Sequence, residues 1–245
     1  MRVYVEKDYE AMSARAADII EAEIIHNPSC VLGLATGTTP IGLYQKLIAA
    51  YKAGRVQFNQ VKTVNLDEYV GIPSSDENSY HYFMEQNLFK GIDIKPANTH
   101  VPEGNGNLAD ACRKYEALLQ QVGYADVQVL GIGRNGHIGF NEPAESFPAT
   151  VHIVKLTDST IQANARLFAR KEDVPTSAIT QGVADIMHAR KILLLAEGEE
   201  KADAVYQMIC GSVVPEVPAS VLQLHPDVTI VTDEKAYQKV RENSL

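Results

Sequence analysis

His137 sits in the string Gly131-Ile-Gly-Arg-Asn-Gly-His-Ile-Gly-Phe-Asn-Glu-Pro143, with Asn135 two positions before it and Glu142 five after it. An imidazole both takes and gives a proton near neutral pH, and a nearby carboxylate can orient it or share the transfer. Four glycines in the same string demand tight turns or a close approach to the backbone. Any one of these residues alone reads more simply as a turn or a satisfied core histidine. The whole string reads as a proton-transfer site.

Two other strings add to it. Gly33-Leu-Ala-Thr-Gly-Thr-Thr-Pro40 carries an apolar run into a helix. The backbone N–H groups of Gly37, Thr38 and Thr39, with their hydroxyls, form a seat for an anion there. An ordinary turn with Thr39 as N-cap ahead of Pro40 fits about as well. In Asn65-Leu-Asp-Glu-Tyr-Val-Gly71, Asp67 and Glu68 arrive where an apolar run stops. Adjacent strand residues point to opposite faces, so one of the pair should face the cleft. An ionised Asp67 should serve as a base at pH 7 without an unusual pKa. An anion cradle, a carboxylate base and a histidine beside a carboxylate suit proton transfer on a small phosphorylated substrate.

Other chemistries fit poorly. Gly131-Ile-Gly133-Arg-Asn-Gly136 matches the dinucleotide fingerprint, but that motif must open a helix. Gly139, Pro143 and Pro148 follow instead, so nicotinamide and flavin cofactors are not expected. The Gly33–Pro40 loop lacks the Gly-Lys-Ser/Thr of a Walker loop, and no ligand spacing suggests a metal. His26, His81, His100, His188 and His225 read as ordinary structural residues.

The elements that must position these residues alternate. Strand-like runs at Val3–Val5, Val31–Ala35, Thr63–Leu66, Val127–Gly131, Val151–Leu156, Ile192–Ala196 and Val228–Val231 are separated by helical periods, among them 9–25, 41–50, 108–122 and 201–209. This pattern predicts an α/β, doubly wound, mainly parallel sheet with helices on both faces. Ligands in such folds bind beyond the C-terminal strand ends, where all three strings lie.

The chain has 245 residues, 45% of them hydrophobic, with no linker-like run and no repeat, which favours one domain. A net charge of −9 with 22 Lys and Arg argues against a nucleic-acid partner. Cys30, Cys112 and Cys210 read as reduced core residues of a cytoplasmic protein. The first residues read as a strand rather than a signal peptide, and no apolar run approaches the ~20 residues of a membrane span.

The order of these motifs, ending in His137-Ile-Gly-Phe-Asn-Glu-Pro143, resembles the glucosamine-6-phosphate deaminase (isomerase) family over essentially the whole chain. The resemblance implies a Rossmann-like fold and conversion of glucosamine 6-phosphate and water to fructose 6-phosphate and ammonia, without a cofactor. It implies that His137, with Asn135 and Glu142, opens the pyranose ring and that Asp67 removes the C2 proton. Gly37, Thr38, Thr39, Arg166 and Lys201 then hold the phosphate. About 155–181 resembles the family's mobile lid, with a helix over 159–168. Some members carry Asp where this chain has Asn135. The allosterically activated members have an Arg/Lys cluster where this chain has His152 and Val154, preceded by Glu145, so activation by N-acetylglucosamine 6-phosphate is not expected. The rivals are a 6-phosphogluconolactonase, which needs no C2 base, and a non-catalytic sugar-phosphate sensor, which would not need Asp67, His137 and Glu142 together. Oligomeric state is not legible.

Overall fold

The computed structural model describes residues 1–157, 160–162, 168, 170 and 174–243. In chain order the first half holds β1 (Arg2–Glu6), α1 (Tyr9–His26), β2 (Val31–Leu34), α2 (Ile41–Lys52), β3 (Lys62–Asn65), β4 (Asp67–Tyr69), α3 (Tyr80–Asn87), β5 (Thr99–His100) and α4 (Leu108–Val122). The second half holds β6 (Val127–Leu130), β7 (His152–Lys155), β8 (Ser177–Thr180), α5 (Val183–Met187), β9 (Lys191–Ala196), α6 (Ala202–Cys210), β10 (Val228–Asp233) and α7 (Glu234–Asn243).

Seven strands form one sheet in the order β1-β10-β9-β6-β2-β3-β5, with every pairing parallel. From β2 the chain winds outward through β3 and β5, then returns to β6 and winds the other way through β9 and β10. The reversal falls between β2 and β6, and a crevice at the C-terminal strand ends is expected there. Leu32 and Leu34 join a cluster with Met12 and Ile20 of α1 and Leu43 and Leu47 of α2. Val31 and Val64 pack instead with Ala111, Tyr115 and Leu119 of α4. Alternation along β2 thus buries its two faces against different helices, the doubly wound arrangement that the sequence predicts.

The helices begin where the sequence supplies acceptors. Asp8 accepts from Ala11 N at 2.8 Å to start α1, and Asn107 accepts from Asp110 N at 3.1 Å to start α4. Helix α4 stops at Gly123, whose left-handed φ of 82° suits a residue without a Cβ.

Three expectations need correction. The run Val151–Leu156 is not in the main sheet: β7 pairs antiparallel with β8, and β8 with β4, in a separate three-stranded sheet. The short, mixed strands β4 and β8 lack the apolar length that marks a strand in sequence. Thr39 does not cap α2, which has Pro40 at its N-cap and no side-chain cap bond. The Tyr9 hydroxyl takes that place, accepting from Gly42 N at 2.8 Å while lying 3.1 Å from the carbonyls of Thr38 and Thr39. Of the three free cysteines only Cys30 is core; Cys112 is half-buried and Cys210 exposed.

The segment expected as a lid is bounded by β7 and β8, but residues 158, 159, 163–167, 169 and 171–173 within it lie outside the described residues, as does most of the helix expected over 159–168. No helix among the described residues is long and apolar enough to cross a membrane.

Candidate active site

The loop after β6 folds on its glycines. Gly133 N donates to the His137 carbonyl at 2.9 Å, and Gly136 N to the Gly133 carbonyl at 3.0 Å, with Gly136 at a φ of 82°. A Cβ on Gly133 would fall 2.2 Å from His137 Cε1 and Nδ1, so only glycine leaves room for the ring. The imidazole is therefore seated by its own loop.

His137, Asn135 and Glu142 touch one another as expected. His137 Nδ1 lies 2.7 Å from Asn135 Oδ1, and Asn135 Nδ2 donates to Glu142 Oε2 at 2.7 Å. Glu142 Oε2 is also 3.5 Å from His137 Nδ1. The other carboxylate oxygen, Oε1, accepts from the Thr160 hydroxyl and from Thr157 Oγ1 at 3.4 Å. Burial alone pushes Glu142 up. Hydrogen bonding to His137, its charge, and the donors Thr160 and Asn135 more than reverse this and hold the carboxyl at about 2.

Asp67 lies beside the same loop. A Cβ on Gly139, whose φ is 56°, would stand 3.1 Å from Thr180 Oγ1, 3.5 Å from Asp67 Oδ2 and 3.6 Å from Asn141 Nδ2. A side chain at 139 would therefore press on the Thr180 hydroxyl and lie in contact with the Asp67 carboxylate. Thr180 opposes Asp67 across the β4–β8 pair, and its hydroxyl accepts from Phe140 N at 3.2 Å. Among the described residues the Asp67 carboxylate accepts no hydrogen bond. Burial, with the Glu68 charge adding to it, pushes Asp67 up to about 8. This corrects the expectation of an ordinary pKa. Burial first, and the Asp67 charge among lesser causes, also raise the phenols of Tyr69, Tyr80 and Tyr115. Among the described residues Asp67 thus has phenols and the Glu68 carboxylate near it, and no cation that lowers its pKa.

Glu68 is buried too, but it faces the protein. Its carboxylate accepts from the backbone N–H of Tyr69, Tyr80 and His81 at 2.8–2.9 Å and so caps the first turn of α3. Burial raises its pKa while these three donors pull it down. The adjacent carboxylates divide as the strand alternation predicts, one to a helix and one to the site.

The third string forms an open loop. Gly37 has a φ of 89°, Gly37 and Thr38 are exposed, and among the described residues no hydrogen bond engages the backbone N–H of Gly37, Thr38 or Thr39. The Thr39 hydroxyl reaches Glu197 at the end of β9, close to the charge of Lys201. Burial raises the Glu197 carboxyl, aided by Asp233 and Glu200. Lys201 stands at the N-terminus of α6, across from the loop's strand in sheet order. Arg166 lies outside the described residues. Among the described residues no group of three or more His, Cys, Asp and Glu could hold a metal ion.

Known proteins resemble the chain in sequence and in fold. The family described as glucosamine-6-phosphate isomerases/6-phosphogluconolactonase matches residues 6–231. The chain belongs to this family. A glucosamine-6-phosphate deaminase of Clostridioides difficile (strain 630) is 52% identical over 241 residues, 98% of this chain and 97% of that protein. One of Thermoanaerobacter pseudethanolicus is 49% identical over 246 residues, 100% and 97% of the two chains. The solved structure of a monomeric glucosamine-6-phosphate deaminase superposes with a TM-score of 0.95 at 45% identity, covering 98% of this chain and 100% of that one. A 6-phosphogluconolactonase from Leishmania guyanensis shares the fold, with a TM-score of 0.78 at 20% identity and 98% of both chains covered. The isomerase/lactonase family therefore accounts for the fold, and the site's chemistry must separate its two named activities.

Several partners in this family site were not legible beforehand. Thr157, Thr160 and Thr180 reach the site from 15 to 40 residues beyond the groups they touch. Tyr9 reaches the Thr38–Thr39 carbonyls from 30 residues before them. Single hydroxyls at such separations leave no periodic signal.

Proposed function

We propose that the protein is a glucosamine-6-phosphate deaminase, converting glucosamine 6-phosphate and water to fructose 6-phosphate and ammonia. The observation that carries this over lactone hydrolysis is the buried Asp67 carboxylate beside the His137 loop, which accepts no hydrogen bond among the described residues. A base for a carbon-bound proton is needed by an aldose–ketose conversion and has no task in lactone hydrolysis. The deaminases that are 49–52% identical over nearly the whole chain support the same choice.

In this reading His137 moves a proton between O1 and the ring oxygen O5, which opens the pyranose. Asn135 and Glu142 hold the imidazole, Asn135 at the Nδ1 edge and Glu142 behind it. Asp67 then takes the C2 proton of the open chain and returns a proton at C1. The resulting fructosimine is hydrolysed by water, which releases ammonia and leaves the ketose. Positioned acids and bases contribute roughly 10²–10⁴-fold each. Each step is a proton transfer or a hydration for which these residues and water suffice, so no cofactor or metal enters the proposal. The loop of Gly37, Thr38 and Thr39, with Arg166 and Lys201, seats the phosphate; unengaged N–H groups at the start of α2 suit a dianion.

The reading includes an enzyme not activated by N-acetylglucosamine 6-phosphate. His152 Nδ1 lies 2.9 Å from the Thr150 carbonyl, and Val154 packs on the Tyr69–Phe140 cluster, so neither position carries the Arg or Lys of the activated members. Sigmoidal kinetics abolished by the acetylated sugar phosphate would overturn that part. The 155–181 segment is proposed as the lid, to be tested by hydrogen exchange with and without ligand. Three free cysteines agree with a reducing cytoplasm.

The test is direct. Purified protein with glucosamine 6-phosphate should release ammonia and fructose 6-phosphate in equal amounts. Release of neither, with hydrolysis of a 6-phosphogluconate lactone, would replace the reading with the lactonase activity.

A further inference from the structure

The relay behind His137 does not end at Glu142. Glu142 is only 8% exposed, and its two oxygens are divided between two parts of the chain. Oε2 belongs to the loop after β6, through Asn135 Nδ2 at 2.7 Å and His137 Nδ1 at 3.5 Å. Oε1 belongs to the segment after β7, through the Thr160 hydroxyl and, less closely, Thr157 at 3.4 Å. Thr157 also binds Thr160 twice, with Oγ1 to Oγ1 at 3.1 Å and from Thr160 N at 3.3 Å, while Ile161 N donates to the Thr157 carbonyl at 2.9 Å. The Thr160 hydroxyl is therefore held by a local turn and is itself buried, at 7% exposed.

A carboxylate tied at only one oxygen can rotate about its Cγ–Cδ bond. Tied at both, it presents a fixed lone pair to Asn135 and His137. The geometry points to Thr160 as a positioning residue for ring opening: its hydroxyl fixes the Glu142 carboxylate and, through it, the His137 ring. It thereby links the segment after β7 to the proton relay. The link rests on the role proposed above for His137 and Glu142. A purely structural alternative is that Thr160 only satisfies a buried acceptor.

The experiment compares Thr160→Ser, Thr160→Ala and Thr160→Val with the wild type and with Glu142→Gln. All are assayed on glucosamine 6-phosphate across pH, with folding checked by thermal melting. Serine keeps the donor; alanine removes it without adding bulk, so the comparison survives if the valine variant fails to fold. The expected result is activity within about twofold for Thr160→Ser. For Thr160→Ala, kcat should fall about tenfold, the order set by one hydrogen bond to a charged group, with KM within about twofold. The pH profile of kcat/KM should also be displaced in the alanine variant and restored in the serine variant. Equal kcat in the serine and alanine variants, with superimposed pH profiles, overturns the inference even if the alanine variant melts earlier. If Glu142→Gln is also as active as the wild type, the proposed role of the relay falls as well.

Discussion

Asp67 and Glu142 are almost equally buried, 6% and 8% exposed. Glu142 has hydroxyl and amide donors on both oxygens and a histidine within 3.5 Å, and it is held at about 2. Asp67 has no donor among the described residues and only another carboxylate nearby, and it is pushed up to about 8. Burial raises both; the donors decide which is a fixed charge and which is a group that exchanges its proton. One suits a permanent support for an imidazole, and the other a base whose charge is released by the reaction.

The largest effect that could break this contrast is at Asp67. Asp67→Asn should lower formation of fructose 6-phosphate by about 10²–10⁴-fold, the range for a lost general base. The wild-type kcat/KM should climb with pH towards about 8, and a profile already flat by about pH 5 would remove Asp67 as the titrating base. Stability carries the matching sign. Because the folded pKa is raised, the native state holds this proton longer, and the group's contribution to stability falls as pH rises from its unfolded value of about 4 to about 8. The Tm gain of Asp67→Asn should therefore grow over that window, as scanning calorimetry at several pH values will show.

Glu142→Gln comes next, with a loss of about 10²-fold in turnover. Here the folded pKa is depressed, so the stabilisation is complete above about 4 and is lost as pH falls through about 2. The variant should unfold at lower urea than the wild type at pH 7, and the gap should close towards pH 2. A gap that persists there would mean that packing, not charge, holds this region.

Lys201→Ala should raise KM for the sugar phosphate about tenfold with little change in kcat, the signature of binding lost equally from ground and transition states. A fall in kcat at constant KM would move Lys201 from the phosphate to the reacting end. The smallest effect should come from Asn135→Asp, which puts a second carboxylate beside Glu142. Added negative charge favours the imidazolium, so the limb of the kcat/KM profile that needs neutral His137 should move to higher pH with only a few-fold change in its plateau.

The amino-acid sequence by itself determined the alternating α/β frame, because long apolar runs and 3.6-residue periods survive in one dimension. It also placed Asn135, His137 and Glu142 together: three residues within eight positions, on a glycine-rich loop, have little choice but to meet. Glu68 and Asp67 were separable for the same local reason, strand alternation. Only the tertiary structure decided that Asp67 titrates unusually, since its pKa depends first on burial, then on the Glu68 charge, with no hydrogen-bond donor to it among the described residues. Only the fold brought Thr160 to Glu142, Thr180 to the Asp67 strand and Tyr9 to the Gly37–Thr39 loop. The small antiparallel sheet was hidden as well, because strands of three or four residues carry no periodic signal of their own. Local chemistry is written in spacing; the electrostatics of a buried site depends on partners that spacing does not name.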